Sequence, residues 1–335
     1  MRSHIGKSFG GFFKAAFFDS PLYTVAELTG KCNLRCKMCS VWKTFDFKDA
    51  DAKKYIETIN FLEKKGVRIA MLTGGEPLLR KDIGEIMRGI NTINIITTNG
   101  FLLAEKINEI SENCDFVFVS LDSPNPEEHD EIRGVKGAFE RAVAGIKKTT
   151  EIGIPAHIVM TVMDSNIEQI EKMCELAKDL DCLISTNYLI SLNREYNGKA
   201  VYFNNSSIAA PLERYVESVK KMQKKYRNFI TTDFELKLLR EGGNKTKSPL
   251  CRAGRTVIGI KPDASIAFPC THYPKKFLST AEWEKTKEIG GKFPFCEGCQ
   301  IKCYIQPSIV SRPSKWLSSL SIRDLQGVLG NARVF

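Results

Sequence analysis

The sequence predicts an α/β protein: a partial (β/α)6 barrel of the TIM type, followed by a small cysteine-rich α+β domain. Three observations carry this prediction. Six short apolar runs alternate with helix-like segments between Tyr23 and Ile190, the rhythm of a parallel sheet with helical crossovers. The runs are apolar on both faces, as strands are when helices cover the outside of the sheet. Two groups of cysteines accompany the rhythm, one inside it at 32–39 and one beyond it at 251–303.

The chain of 335 residues, 43% of them apolar, is long enough to bury one large domain and a smaller one. The boundaries predicted are an N-terminal arm at 1–20, a barrel at 21–190 and a loop and helical connection at 191–247. A cysteine-rich domain follows at 248–307, then a tail at 308–335. No apolar run reaches the length of a membrane span, and no apolar core with a cleavage site marks a secretory signal. The chain has eleven cysteines, and in an apparently cytoplasmic chain the tight C-x-x-C spacings among them read as metal ligation, not disulfides. The net charge of +10 calls for an anionic partner or surface, and alone leaves nucleic acid, anionic membrane and acidic peptide open.

In the arm, Ile5, Phe9, Phe13 and Phe17 recur at spacing four and share one helix face, with Arg2, Lys7 and Lys14 nearby. Such a segment either caps the barrel or meets a membrane surface. Strands are predicted over Tyr23–Leu28, Val67–Leu72, Ile93–Thr98, Phe116–Leu121, Ala156–Val162 and Cys182–Ile190. Helices are predicted near 49–65, 80–89, 102–112, 137–152 and 166–180. In barrels of this kind, chemistry gathers at the C-terminal ends of the strands. After the first strand comes Cys32-Asn33-Leu34-Arg35-Cys36-Lys37-Met38-Cys39. Three thiolates in C-x-x-x-C-x-x-C spacing suit an iron–sulfur cluster with one iron left open. A structural zinc site would need a fourth ligand close by, and none follows within about seventy residues.

The second strand leads into Thr73-Gly74-Gly75-Glu76-Pro77, where two glycines permit close backbone approach to a ligand. The third strand ends in Thr97-Thr98-Asn99-Gly100 and the fourth in Ser120-Leu121-Asp122-Ser123. His129-Asp130-Glu131-Ile132-Arg133-Gly134 follows. Its His129 and Asp130 read as a solvated helix start, while Arg133 can fork onto a carboxylate. Thr161 and Asn187 stand near the ends of the fifth and sixth strands. Residues 193–207 read as a loop over the barrel mouth, 211–228 as a charged helix and 241–245 as a flexible linker. Cys251 and Cys270 bracket a hairpin turned at Pro262-Asp263, and Cys296, Cys299 and Cys303 follow. Five cysteines exceed the four that one cluster needs. Cys114, Cys174 and Cys182 lie in apolar strand or helix contexts and read as core thiols. The tail, with Trp316, Leu320, Leu325, Arg312 and Arg323, has the same basic, aromatic character as the arm.

These motifs resemble those of the radical S-adenosylmethionine (SAM) enzymes. The resemblance covers about residues 23–304, and the C-terminal block is similar to the SPASM and shorter twitch domains of a subgroup. The resemblance implies a [4Fe–4S] cluster on Cys32, Cys36 and Cys39, with the methionine end of SAM on the fourth iron. Gly74, Gly75 and Glu76 resemble the family's GGE motif, which binds the SAM amino group. Thr98, Asn99, Ser120 and Asp122 resemble its TNG and SLD segments, which approach the ribose or carboxylate. Arg133 belongs to a segment similar to HDxIRG. A second [4Fe–4S] cluster is implied on Cys251, Cys270, Cys296 and Cys299, with Cys303 as a fifth candidate. The implied activity is reductive cleavage of SAM to a 5′-deoxyadenosyl radical that abstracts hydrogen from a substrate. That radical chemistry would form a C–C or C–X bond or oxidise the substrate, fed by an external flavodoxin- or ferredoxin-type electron donor. The basic aromatic ends favour a membrane lipid or isoprenoid substrate and a peripheral contact at the inner membrane face. Maturation of a ribosomally made peptide and a non-catalytic electron carrier are the alternatives. No nucleic-acid partner is expected.

Overall fold

The computed structural model describes residues 20–44, 47–190, 194–196, 199–202, 208–286 and 292–310. The arm at 1–20 and the tail at 308–335 therefore fall almost wholly outside the described residues. Six strands run parallel and in sequence order: β1 (Tyr23–Glu27), β2 (Ile69–Thr73), β3 (Ile93–Thr98), β4 (Phe116–Ser120), β5 (Ala156–Val162) and β6 (Leu183–Tyr188). The sheet does not close: β6 is one edge, and on the other side β1 pairs with a late strand. The mixed α/β fold with an open parallel sheet is the partial barrel the sequence predicts.

The sheet has two different faces because successive side chains alternate. Ala26, Leu28, Ala70, Leu72, Ile96, Val117, Val119, Ile158 and Met160 pack against the crossover helices. Tyr23, Val25, Ile69, Ile93, Ile95 and Phe116 form the inner face, which packs on Phe234, Tyr304, Ile305 and Ile309 from later in the chain. Both faces are buried, which explains the continuous apolar runs. The crossover helices carry clear stop signals. Asp51 caps helix Ala52–Lys65 by accepting from the Lys54 amide at 2.8 Å, and Gly66 ends it. Helix Pro126–Arg133 begins with Asn125 as cap and Pro126 in its first turn, and ends at Gly134 in the left-handed conformation (φ 71°).

The cysteine-rich region is continuous with this sheet. β9 (Val257–Ile260) pairs in parallel with β1, while β10 (Ile266–Phe268) and β11 (Lys276–Leu278) extend the edge antiparallel. The order is β11-β10-β9-β1-β2-β3-β4-β5-β6. Tyr55 of the first crossover helix ties the join, its hydroxyl facing the carbonyls of Glu27 and Lys261. Helix Lys302–Val310 then enters the inner face. Gly259 makes room for it, because a Cβ there would lie 2.5 Å from the Tyr304 hydroxyl.

The structure departs from expectation in the 191–247 stretch. In the segment read as loop, β7 (Arg194–Tyr196) and β8 (Lys199–Tyr202) form a hairpin. Helix Leu212–Lys225 is present as expected, but a second helix, Asp233–Arg240, was not anticipated. Its eight residues are too few for periodicity to stand out; its N-cap, Thr232, accepts from the Glu235 amide at 3.2 Å. The Gly242-Gly243-Asn244 stretch is not a flexible linker, since Asn244 is fully buried.

Candidate active site

The cysteine loop leaves the end of β1 and is held on two sides by backbone hydrogen bonds. On one side, the Gly75 amide donates to the Thr29 carbonyl (2.7 Å) and the Glu76 amide to the Lys31 carbonyl (2.8 Å). Contact is so close that a Cβ on Gly74 would lie 2.4 Å from the Thr29 oxygen, and one on Gly75 2.2 Å from the Lys31 oxygen. The double glycine is thus a steric necessity of the loop. On the other side, the Arg35 amide donates to the Arg133 carbonyl (3.0 Å) and the Lys37 amide to the Ile132 carbonyl (2.9 Å). Cys32, Cys36 and Cys39 are half-buried on this loop, and burial raises the thiols of Cys32 and Cys39, the latter to about 11. A metal would take the place of those protons.

Glu76 is fully buried. Its carboxylate accepts from the Leu78 amide (3.0 Å), the Thr98 hydroxyl (2.8 Å) and the Asn99 amide (2.7 Å). Burial pushes its carboxyl up to about 7, against the lowering effect of those donors and of Arg133. Thr98 therefore supports Glu76. Its neighbour Thr97 points to the inner face by alternation, and its buried hydroxyl has no partner. The Asn99 side chain donates to Asn33 Oδ1 (2.8 Å) and lies 3.9 Å from Cys32 Sγ.

Asp122 is buried, accepts from the Thr161 amide (2.8 Å) and pairs with Arg133 Nη2 at 2.7 Å. Burial raises its carboxyl, with Arg133 opposing. Arg133 Nη1 lies 3.8 Å from Cys36 Sγ. Ser120 closes β4 on the same inner side, opposite Val159. His129 is not solvated, and Asp130 is only partly exposed. His129 is fully buried and accepts the Asp122 amide on Nδ1 (3.1 Å), and Asp130 accepts the amides of Gly137 (2.5 Å) and Phe139 (2.9 Å). Burial pushes His129 down to about 3, so it is neutral. Sequence reasoning passed over Asn33 and Thr97; loop position marks the first, and strand alternation could have found the second.

A second set lies in the C-terminal region. Cys251, Cys270, Cys296 and Cys299 line one pocket together with Tyr273 and Tyr304. Burial raises the Cys251 thiol strongly, and the three other cysteines of the pocket act in the same direction. Asn244 ties the parts together. Its Oδ1 accepts from the amides of Leu250 (2.9 Å) and Cys251 (3.2 Å), its Nδ2 donates to the Cys296 carbonyl (3.1 Å), and its amide donates to the Cys299 carbonyl (2.8 Å). The Tyr273 amide points at Cys270 Sγ (3.3 Å). Cys303 does not line the pocket; its sulfur lies 3.8 Å from His272 Nε2. Cys114, Cys174 and Cys182 are buried in the helix-covered core, as expected of core thiols.

The residues fit the groups the resemblance implies. Three buried atoms of the segments around the cysteine loop have no hydrogen-bond partner: Asn33 Nδ2, Thr97 Oγ1 and Arg133 Nε. Such a set calls for a polar ligand. Among the described residues no three acidic, His or Cys side chains converge as ligands of a single ion do. A cubane does not ask for that, because each thiolate binds a different iron.

Residues 26–177 match the Radical SAM superfamily. An AdoMet-dependent heme synthase of Methanosarcina barkeri is 37% identical over 177 residues, 49% of this chain and 49% of that protein. The chain thus spans about half the length of that relative. A probable GTP 3′,8-cyclase of Methanocaldococcus jannaschii is 31% identical over 234 residues, 65% of this chain and 76% of the relative. Among solved structures, anSMEcpe with bound AdoMet and Cp18Cys peptide superposes with a TM-score of 0.61 at 17% identity, covering 92% of this chain and 95% of that one.

Proposed function

Since the chain belongs to the radical SAM superfamily, whose enzymes use a [4Fe–4S] cluster and SAM, we propose that it is a radical SAM enzyme with one auxiliary cluster, acting on a polar substrate. Cys32, Cys36 and Cys39 hold the catalytic cluster. Gly74, Gly75 and Glu76 take the methionine end of SAM, with Glu76 accepting from the ammonium group. Thr98 and Asn99 hold Glu76, and Thr97, Ser120, Asp122 and Arg133 face the ribose or carboxylate. When bound, cluster and SAM would supply the reductive radical chemistry for hydrogen-atom abstraction from the substrate. The chain's own contribution is to orient SAM and to keep water from the inner face. Cys251, Cys270, Cys296 and Cys299 hold the auxiliary cluster, and a flavodoxin- or ferredoxin-type donor supplies the electron. The double-glycine cradle is the observation that carries this reading, because it locks the cysteine loop against Glu76.

The substrate class is read from the rim of the inner face. Glu27, paired with the buried Lys261, stands beside Thr73 at the strand ends, and Thr161 stands beside Asn187. A charged, hydroxyl-bearing rim favours a polar substrate such as a peptide side chain. The lipid or isoprenoid alternative rests on the basic aromatic termini, which lie largely outside the described residues. No helix among the described residues is long and apolar enough to cross a membrane.

The test is anaerobic reconstitution, iron and sulfide analysis, and 5′-deoxyadenosine formation with dithionite and SAM. About eight irons are expected, falling to about four in C32A. Peptide extracts should stimulate 5′-deoxyadenosine formation more than lipid extracts. Full iron loading with no 5′-deoxyadenosine under any condition would refute the enzymatic reading; stimulation by lipid alone would refute the polar substrate.

A further inference from the structure

We propose that Arg133 is a positioning residue that raises the reduction potential of the cluster on the cysteine loop, and that Asp122 holds it there. The proposal rests on the reading that Cys36 ligates that cluster. Helix Pro126–Arg133 ends directly against the loop. The carbonyls of Ile132 and Arg133 accept the amides of Lys37 and Arg35, and a Cβ on Gly134 would lie 2.5 Å from the Arg35 carbonyl oxygen. This backbone contact fixes the origin of the Arg133 side chain. The side chain is 8% exposed and runs to the loop, with Nη1 3.8 Å from Cys36 Sγ. Its Nη2 is held at 2.7 Å by Asp122, which is fully buried and itself fixed by the Thr161 amide. Behind the pair, the buried His129 takes the Asp122 amide on Nδ1. The nearby pair Lys37–Glu131 is at the surface, and Glu76 is the other buried carboxylate acting on Arg133.

The physical argument is one of fixed charge. Reduction adds one electron to the cluster and makes its thiolates more negative. A guanidinium keeps its charge at any working pH, and in a buried site its field on the sulfur is little screened. A cation beside a ligating sulfur therefore stabilises the reduced form, and donors to cluster sulfurs are among the main controls of potential. Asp122 orients the guanidinium through Nη2, while Nη1 is the atom that reaches Cys36 Sγ, so its opposing charge offsets only part of the effect.

Wild type, R133Q, R133K and D122N are reconstituted as full chains and titrated with dithionite and mediators, without SAM. The signal followed is the EPR component of the reduced cluster that C32A protein lacks. R133Q should shift the one-electron equilibrium at least tenfold toward the oxidised form, a fall of about 59 mV. R133K should recover most of the shift, and D122N, whose amide oxygen still accepts from Arg133 and keeps it in place while the opposing charge is gone, should move the potential upward. A fully loaded R133Q protein with the wild-type potential would overturn the proposal. If R133Q fails to hold the cluster, D122N decides, and an unchanged or lower potential there would overturn it. Wild-type protein whose EPR signal survives C32A would instead overturn the cluster assignment on which the proposal rests.

Discussion

Gly75→Ala is the sharpest perturbation of the candidate site. Gly75 does not have a positive φ, so alanine brings no backbone strain; the effect is purely steric. The new Cβ would lie 2.2 Å from the Lys31 oxygen, 2.7 Å from the Lys31 carbonyl carbon and 2.9 Å from the Gly30 oxygen. All three are backbone atoms that no rotamer change can move. Reaching ordinary contact means that the Lys31 carbonyl retreats by roughly 1 Å. That stretches the Glu76 amide bond to Lys31 from 2.8 Å beyond hydrogen-bonding range and strains the 2.7 Å bond from Gly75 to Thr29. Two weakened buried bonds cost about 2–5 kcal/mol together. Cys32, next in the chain, moves with Lys31, and a displacement of about 1 Å can cost about a hundredfold in rate. G75A should therefore lose most of its iron at the loop, or keep it and bind SAM at least tenfold more weakly. Iron analysis, equilibrium dialysis with labelled SAM and thermal melts by circular dichroism measure these effects. Gly153→Ala is the control: nothing lies within 4 Å of its Cβ, but its φ of +80° should lower stability by about 1–2 kcal/mol without touching SAM. G75A protein that binds SAM within threefold of wild type would refute the cradle argument.

Other predictions follow from burial and ligand placement. Glu76 is raised from 4.5 to about 7 in the folded chain, so the native state binds the extra proton between those values. Stability of the SAM-free protein should then fall as pH rises from about 4.5 through about 7, and level off above it. A shift of this size corresponds to about 3 kcal/mol. E76Q should flatten that slope in denaturant titrations at stepped pH; an equally steep slope in E76Q would assign it elsewhere. SAM affinity should rise over the same window in wild type and not in E76Q. Serine at Cys251, Cys270, Cys296 or Cys299 should lower the iron count from about eight to about four, whereas C303S should leave it near eight. Iron loss in C303S equal to that in C299S would make Cys303 a ligand. Asn244→Ala leaves the Leu250 and Cys251 amides without their acceptor. It should lower auxiliary iron occupancy and stability by about 1–3 kcal/mol per stranded amide, with the loop cluster retained.

What was legible in the sequence was whatever has a local signature. β3 and β5 match the predicted spans to the residue because their apolar runs end in Asn-Gly and in Met-Asp-Ser. The order of β1 to β6 followed from the alternation with helices. The cysteine loop and Gly74-Gly75-Glu76 were legible because spacing and glycines are local demands of the site. What escaped depends on contacts between segments far apart. No local pattern in Asn244 says that it will accept the amides of Leu250 and Cys251 while donating to Cys296 and Cys299. The pairing of β9 with β1 joins residues more than two hundred positions apart, so a region set apart by composition becomes part of the barrel sheet. His129 illustrates the sharper case. Next to Asp130 and Glu131 it looks solvated, yet the fold turns its ring inward onto the Asp122 amide.

The same logic separates the roles of neighbouring residues at the strand ends. Thr97 and Thr98 are chemically identical and adjacent, so residue type alone gives no reason to choose between them. Strand alternation sends them to opposite faces. Thr98 bonds Glu76 and fixes its carboxylate, while Thr97 presents a buried, unpartnered hydroxyl on the inner face. Asp122 and Arg133 are eleven positions apart and become one unit only through the turn from β4 into helix Pro126–Arg133 and its docking on the cysteine loop. The site is therefore built from two kinds of residue. In the proposed function one kind touches what binds there, and the other, including Thr98, Asn99 and His129, sets the conformation of the first. Substitution of the second kind should alter affinity or potential before it alters composition, which is why iron counts alone cannot separate the two and a SAM-free potential measurement can.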